Sequence, residues 1–268
     1  MRSRHTPRDE GAYRDRHAGS VVYQTSRYGH GESSMMVYHF PCQTARNGPD
    51  YVLVHGIGVS ARSYATTAVA LAREGDVYLV DLPGFGRSPR PDVDMTIERH
   101  ALVLRDFLAE RNLDRPVVVG HSMGAQVVAE LAANHPEVVD HIVLIAPVVA
   151  PEARNLSAVS ALLLRNGLKE PPIVTMLATY DYFRAGMGYM VEQTKHLLDN
   201  RLEETARRVK AKTLVICGES DPIVPLEWGR QLAQAFEQGW FASVPGPHAM
   251  IFSSPRIITR HLNAHAKR

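Results

Sequence analysis

Cysteine is scarce: Cys42 and Cys217 are the only two in 268 residues. Two are too few for a disulfide framework. Cys217 closes the apolar run Thr213-Leu214-Val215-Ile216, which predicts a buried free thiol and fits a reducing cytoplasm. No apolar run approaches the roughly 18 residues that a transmembrane helix needs, so no membrane partner is expected. The first 20 residues hold five arginines and no apolar stretch, so no secretory signal is expected either. Outside those 20 residues neither charge sign is in excess: 25 basic and 25 acidic residues remain. A neutral body lacks the basic stripe of a nucleic-acid binder, and no nucleic-acid partner is expected. The Arg-rich residues 1–19 read as a disordered basic tail, with a nucleic-acid arm as the alternative. Cysteines and histidines show no zinc-ligand spacing, so no metal is expected.

What is present is an ordinary globular composition, 45% hydrophobic and 22% charged. The length suits one large α/β domain or two small ones. From residue 20 strand and helix signals alternate. Val21–Thr25 and Met35–Phe40 read as a hairpin turning at Gly29-His30-Gly31. Short Val/Ile/Leu runs follow at 51–54, 77–80, 116–119 and 141–145. Helical patterns lie between them at about 61–73 and 96–112, the latter capped by Thr96 or Asp94, and after Ser122. Continuous apolar strands separated by helices predict a parallel sheet covered on both faces. The rhythm breaks at Pro147. Residues 150–208 read as helical and are expected to form a cap. Strand signals resume at 213–217 and 240–244, with helices at about 226–236 and 254–264. The core is therefore expected over 20–149 and 209–268.

Three loops carry the candidate chemistry. Gly120-His121-Ser122-Met123-Gly124 matches G-x-S-x-G directly between a strand and a helix. A nucleophile there stands on a tight turn, where small neighbours avoid clashes and a helix N-terminus helps to hold an oxyanion. Serine needs a base, and the base an orienting acid. His248 follows the last strand and Asp221 the one before it, with Glu219 as the rival acid. All three loops follow the C-terminal ends of strands, where open α/β sheets place their ligands. A tetrahedral intermediate needs two N–H donors. Those of Met123 and Ile57 are the candidates, with Gly58 as the alternative to Ile57. His55 and His121 read as packed, structural histidines.

These residues resemble the α/β-hydrolase superfamily, in particular bacterial serine hydrolases with a His-Gly oxyanion loop and a small helical cap. The resemblance spans about residues 20–266. It rests on His55-Gly56, the loop Asp81 to Ser88, Gly120 to Gly124, Gly218 to Pro225, and Gly246-Pro247-His248. Ala125 departs from the second glycine common in relatives. The resemblance implies a mostly parallel eight-stranded sheet flanked by helices, with the cap inserted late in the sheet. It also implies a carboxylesterase-like enzyme that needs no cofactor and acts on a small-molecule ester or related acyl substrate. Ser at position 122 excludes the relatives that use an Asp nucleophile. Carbon–carbon bond hydrolases and slow-turnover receptors on the same scaffold remain as alternatives. Met176, Tyr180, Phe183, Met187 and Met190 are expected to line the acyl pocket, or else to pack the cap onto the core. Arg154, Arg165 and Arg184 read as solvated.

Overall fold

The computed structural model describes residues 14–18, 21–31, 33–46, 48–148, 150–167 and 169–268. Nine strands form one sheet: β1 (Arg14–Ala18), β2 (Val21–His30), β3 (Ser33–Phe40), β4 (Tyr51–Val54), β5 (Val77–Asp81), β6 (Val117–His121), β7 (His141–Ile145), β8 (Lys212–Gly218) and β9 (Gly239–Val244). Their order is β1-β2-β3-β5-β4-β6-β7-β8-β9. β1, β2 and β3 run antiparallel; from β5 to β9 every neighbour is parallel. β4 and β6 are buried along their whole length. A strand covered on both faces reads as an unbroken apolar run, which is why Tyr51–Val54 and Val117–Val119 show no alternation.

β2 to β9 make the expected eight-stranded, mostly parallel sheet, and β1 adds a ninth strand at its edge, within the stretch expected to be a tail through residue 19. Arg14–Ala18 pairs antiparallel with Val21–Thr25 as the outermost strand. An edge strand needs only its backbone ladder on one side, so charged residues do not disqualify it, and charge protects a free edge. The rest of the expected tail, residues 1–13 and 19, lies outside the described residues.

The helices are α1 (Ala65–Leu71), α2 (Ile97–Glu110), α3 (Met123–Asn134), α4 (Leu156–Gly167), α5 (Pro172–Ala185), α6 (Met187–Asp199), α7 (Leu202–Ala206), α8 (Leu226–Ala235), α9 (Met250–Ser253) and α10 (Pro255–His265). Thr96 caps α2 by accepting the Arg99 N–H. The long connection from β7 to β8 holds α4 to α7 and no strand among the described residues. α7 belongs with the sheet side, because Leu202, Thr205 and Ala206 are buried and Thr205 donates to Glu130 of α3. Arg154 is not solvated, as expected, but buried in a two-pronged ion pair with Glu203, at 2.8 and 2.6 Å. No helix among the described residues is long and apolar enough to cross a membrane.

Candidate active site

β6 ends at His121, and α3 begins at Met123. Ser122 alone makes the turn, with φ 54° and ψ −118°. That is the backbone of the first central residue of a type II′ turn, a position dominated by glycine. The flanking glycines are required by contact. A Cβ on Gly120 would stand 2.3 Å from the Gly124 carbonyl oxygen, and one on Gly124 would stand 2.5 Å from the oxygens of Val54 and His55. The elbow is thereby pressed against the end of β4. As the first residue of α3, Met123 has an N–H with no acceptor inside the helix.

Gly56 brings the next loop onto the elbow: a Cβ there would lie 2.9 Å from the Ser122 Cβ. Two buried histidines hold this region, in the structural roles expected of them. Leu82 N–H donates to His55 Nε2 at 2.9 Å, so the ring proton sits on Nδ1, 2.8 Å from the Gly56 carbonyl. Burial holds the His55 pKa below the ordinary value. At His121, Nε2 lies 3.1 Å from the His248 carbonyl oxygen and Nδ1 lies 2.8 Å from the Tyr64 hydroxyl. Only an N–H can meet a carbonyl, so Nε2 is the donor and Tyr64 donates to Nδ1. The Tyr64 oxygen in turn accepts the Gly56 N–H at 3.4 Å. Burial, with the His248 charge next, pushes the His121 pKa down to about 3. One chain of neutral donors and acceptors thus links the Gly56 loop, the residue before Ser122, and the loop carrying His248.

Asp221 and His248 meet: Asp221 Oδ2 is 2.8 Å from His248 Nδ1. Asp221 Oδ1 accepts from the N–H groups of Ile223 and Val224 at 2.7 and 3.2 Å. Burial alone would raise the Asp221 carboxyl. The His248 charge and these hydrogen bonds outweigh it and hold it below the usual range. Burial alone would lower His248. The Asp221 and Glu170 carboxylates outweigh it and raise the imidazole above its ordinary value. Glu219, the rival acid, is exposed. The His248 ring stands 5.0 Å from that of His121, centroid to centroid, which brings it beside the elbow.

The five residues expected to line the pocket lie in different surroundings. A cavity of about 700 Å³ is lined by Gly167, Glu170, Pro172, Thr175, Met176, Thr179 and Tyr180. Met176 and Tyr180 are therefore at a cavity wall. Phe183 and Met187 do not line this cavity, and all four are more than half exposed. Met190 is buried near the Ile57 loop, where its Cε would touch a Cβ on Gly58 at 3.5 Å. Helical spacing placed the five residues on helices but left open which face each presents. Of the residues that sequence reasoning missed, Tyr64 stands as one more aromatic in a helix signal. Asp181 of α5 is buried, accepting from Ser60 at 2.8 Å and from Arg62 at 2.7 Å. Neither shows its role before the chain is folded.

One other group has donors suited to a divalent cation. Asp94, Glu192 and His196 offer ligand atoms within 4.8 Å of one another. No cysteine or histidine spacing in the sequence marks this group, because a helix and a distant loop assemble it. These groups already pair within the chain: His196 with Asp94 at 2.6 Å, and Glu192 with Arg90 at 3.8 Å.

Comparison with known proteins agrees with this architecture. The model of the alpha/beta hydrolase family matches residues 51–259. The chain is 30% identical over 245 residues to "Putative carbamate hydrolase RutD" of Pseudomonas savastanoi pv. phaseolicola, covering 82% of this chain and 94% of that one. It is 28% identical to a 2-hydroxy-6-oxo-6-(2'-aminophenyl)hexa-2,4-dienoic acid hydrolase of Metapseudomonas resinovorans, over 77% of this chain and 80% of the relative. It is 27% identical to a pimeloyl-acyl-carrier-protein methyl ester esterase of Chromobacterium violaceum, over 83% and 96%. With its sheet order, its elbow at Ser122 and these matches, the chain belongs to the alpha/beta hydrolase family and is a hydrolase.

Proposed function

We propose that the chain is a serine hydrolase that cleaves an ester or related acyl bond of a small to medium apolar substrate. Ser122 is the nucleophile, His248 the base and Asp221 the orienting acid. The observation that carries the reading is the Asp221–His248 contact of 2.8 Å beside a serine in a glycine's conformation. His248 accepts the Ser122 proton as the oxygen attacks the carbonyl carbon. The N–H groups of Met123 and Ile57 hold the oxyanion. The tetrahedral species collapses, and His248 gives its proton to the leaving alcohol or amine. Water then attacks the acyl-enzyme as His248 takes its proton, and His248 returns that proton to the Ser122 oxygen as the acid product leaves. Asp221 keeps the Nδ1–H tautomer and stabilises the charged ring. α4, α5 and α6 act as a cap over the site, with Met176 and Tyr180 lining the acyl pocket.

Two relatives support acyl chemistry by name, one a carbamate hydrolase and one a methyl ester esterase. The dienoic acid hydrolase relative supports the second reading, a carbon–carbon bond hydrolase with the same triad. Initial rates on p-nitrophenyl esters from acetate to decanoate test the first. Turnover that falls by several orders of magnitude in Ser122→Ala is expected, with a chain-length optimum that sizes the pocket. Inertness on every ester, with activity on a ring-cleavage dienone, transfers the assignment to the second.

A further inference from the structure

The end of α4 and the turn that joins it to α5 reach both loops of the proposed acid–base pair. Lys169 Nζ donates to the Ser220 carbonyl at 2.9 Å, directly before Asp221. Asn166 Oδ1 accepts the His248 N–H at 3.4 Å. Glu170 Oε1 accepts the Ala249 N–H at 2.7 Å and the Asn166 amide at 3.1 Å. Glu170 is 8% exposed, and its second oxygen, Oε2, is buried with no hydrogen-bond partner among the described residues. A buried carboxylate with a free oxygen is a costly arrangement, and burial raises the Glu170 carboxyl above its ordinary value against the opposing pull of the Ala249 N–H, the Asn166 amide and the His248 charge. A turn that only had to close a helical hairpin would be served by a neutral side chain. A charge here has a use if a positive charge forms nearby during the reaction, and His248 is the neighbour that acquires one.

We propose that Glu170 is a positioning residue for the base. With Asn166 and Lys169 it fixes the loops bearing Asp221 and His248, and its carboxylate favours the charged imidazole that forms when Ser122 gives up its proton. Productive alignment of the base then depends on the α4–α5 turn being seated on the core. The inference rests on the reading of Ser122, Asp221 and His248 as the triad. The charged and titratable groups around His248 are Asp221 from the loop after β8, Glu170 from this turn and His121 from β6, with Lys169 one residue away on the same turn as Glu170. Asp221 bonds the ring directly and supplies the larger support. Glu170 acts through space and through the Ala249 N–H.

The test is the ionisation of His248 in the full-length chain, followed by ¹⁵N NMR and assigned by the signal lost in His248→Gln. Glu170→Gln keeps the size and an oxygen for the Ala249 N–H but removes the charge. It is expected to lower the His248 midpoint by roughly 0.5 to 1 pH unit, at or below the low end of the effect of a carboxylate in direct contact. The acid limb of kcat/KM follows the same shift. Glu170→Asp keeps the charge and is expected to hold the midpoint near the wild-type value while kcat falls. A folded Gln variant with an unmoved midpoint overturns the proposal, since a purely structural role moves stability and not the titration. Should the Gln variant not fold, Asn166→Ala replaces it. Lower kcat at unchanged KM supports the positioning role, and unchanged kcat overturns it. The NMR titration needs no turnover. A chain whose Ser122 takes no fluorophosphonate label therefore refutes the triad, whereas a labelled chain whose His248 ignores Glu170 refutes only this inference.

Discussion

Replacing Ser122 by glycine is expected to give a more stable protein than replacing it by alanine. Both changes remove the hydroxyl, so their difference isolates the backbone. Ser122 sits at φ 54°, ψ −118°, a conformation that clashes for any residue with a Cβ. Holding such a residue costs about 1–3 kcal/mol. Glycine relieves that cost but loses about 0.5–1 kcal/mol through the greater freedom of its unfolded chain. The balance favours glycine by about 1 kcal/mol. At this chain length that is about 2 °C in Tm. Urea midpoints at matched slopes are the assay, because equal slopes show that the unfolded states expose the same surface. A glycine variant equal to or less stable than the alanine variant would refute the idea that the elbow stores strain.

The hydrogen-bond chain through Tyr64 makes a second claim. Tyr64→Phe leaves the Gly56 N–H and His121 Nδ1 without their partner, which is expected to cost about 1–3 kcal/mol on thermal or urea unfolding. Its effect on rate should fall on kcat, because the oxyanion loop and the base loop lose their common link. In the wild type, kcat/KM should fall as pH drops through a midpoint above about 6.5, the ordinary imidazole value. The sign follows from the raised pKa of His248: the base works when neutral, and its neighbouring carboxylates favour the charged form that cannot accept a proton. A pH–rate profile with its midpoint below that value contradicts this electrostatic account.

Much of the core was legible in the sequence because both periodicity and punctuation point the same way. Val117–Val119 read as a strand covered on both faces, and Gly120 to Gly124 after it as a sharp turn into a helix. Asp221 and His248 were legible as loop residues after two successive strands, and their contact follows from β8 and β9 being neighbours. β1 was not legible, because an edge strand is made by its backbone and its charged side chains carry no burial signal. The orientation of Phe183 and Met187 was not legible either. Phe183 lies on α5, which carries apolar residues on more than one face, and Met187 opens α6; only packing decides which are covered. Glu170 stayed hidden for a third reason. Nothing in Asn166 to Glu170 differs from an ordinary polar turn until folding brings it onto a loop eighty residues away.

The nucleophile itself is the most direct thing to measure. The full-length chain, treated with a small fluorophosphonate and digested for mass spectrometry, should carry one phosphonyl adduct per chain, on Ser122. Labelling should slow sharply in His248→Ala, which keeps the serine but removes its base. An adduct elsewhere, no adduct, or labelling indifferent to His248 would contradict the assignment of Ser122 as the activated serine.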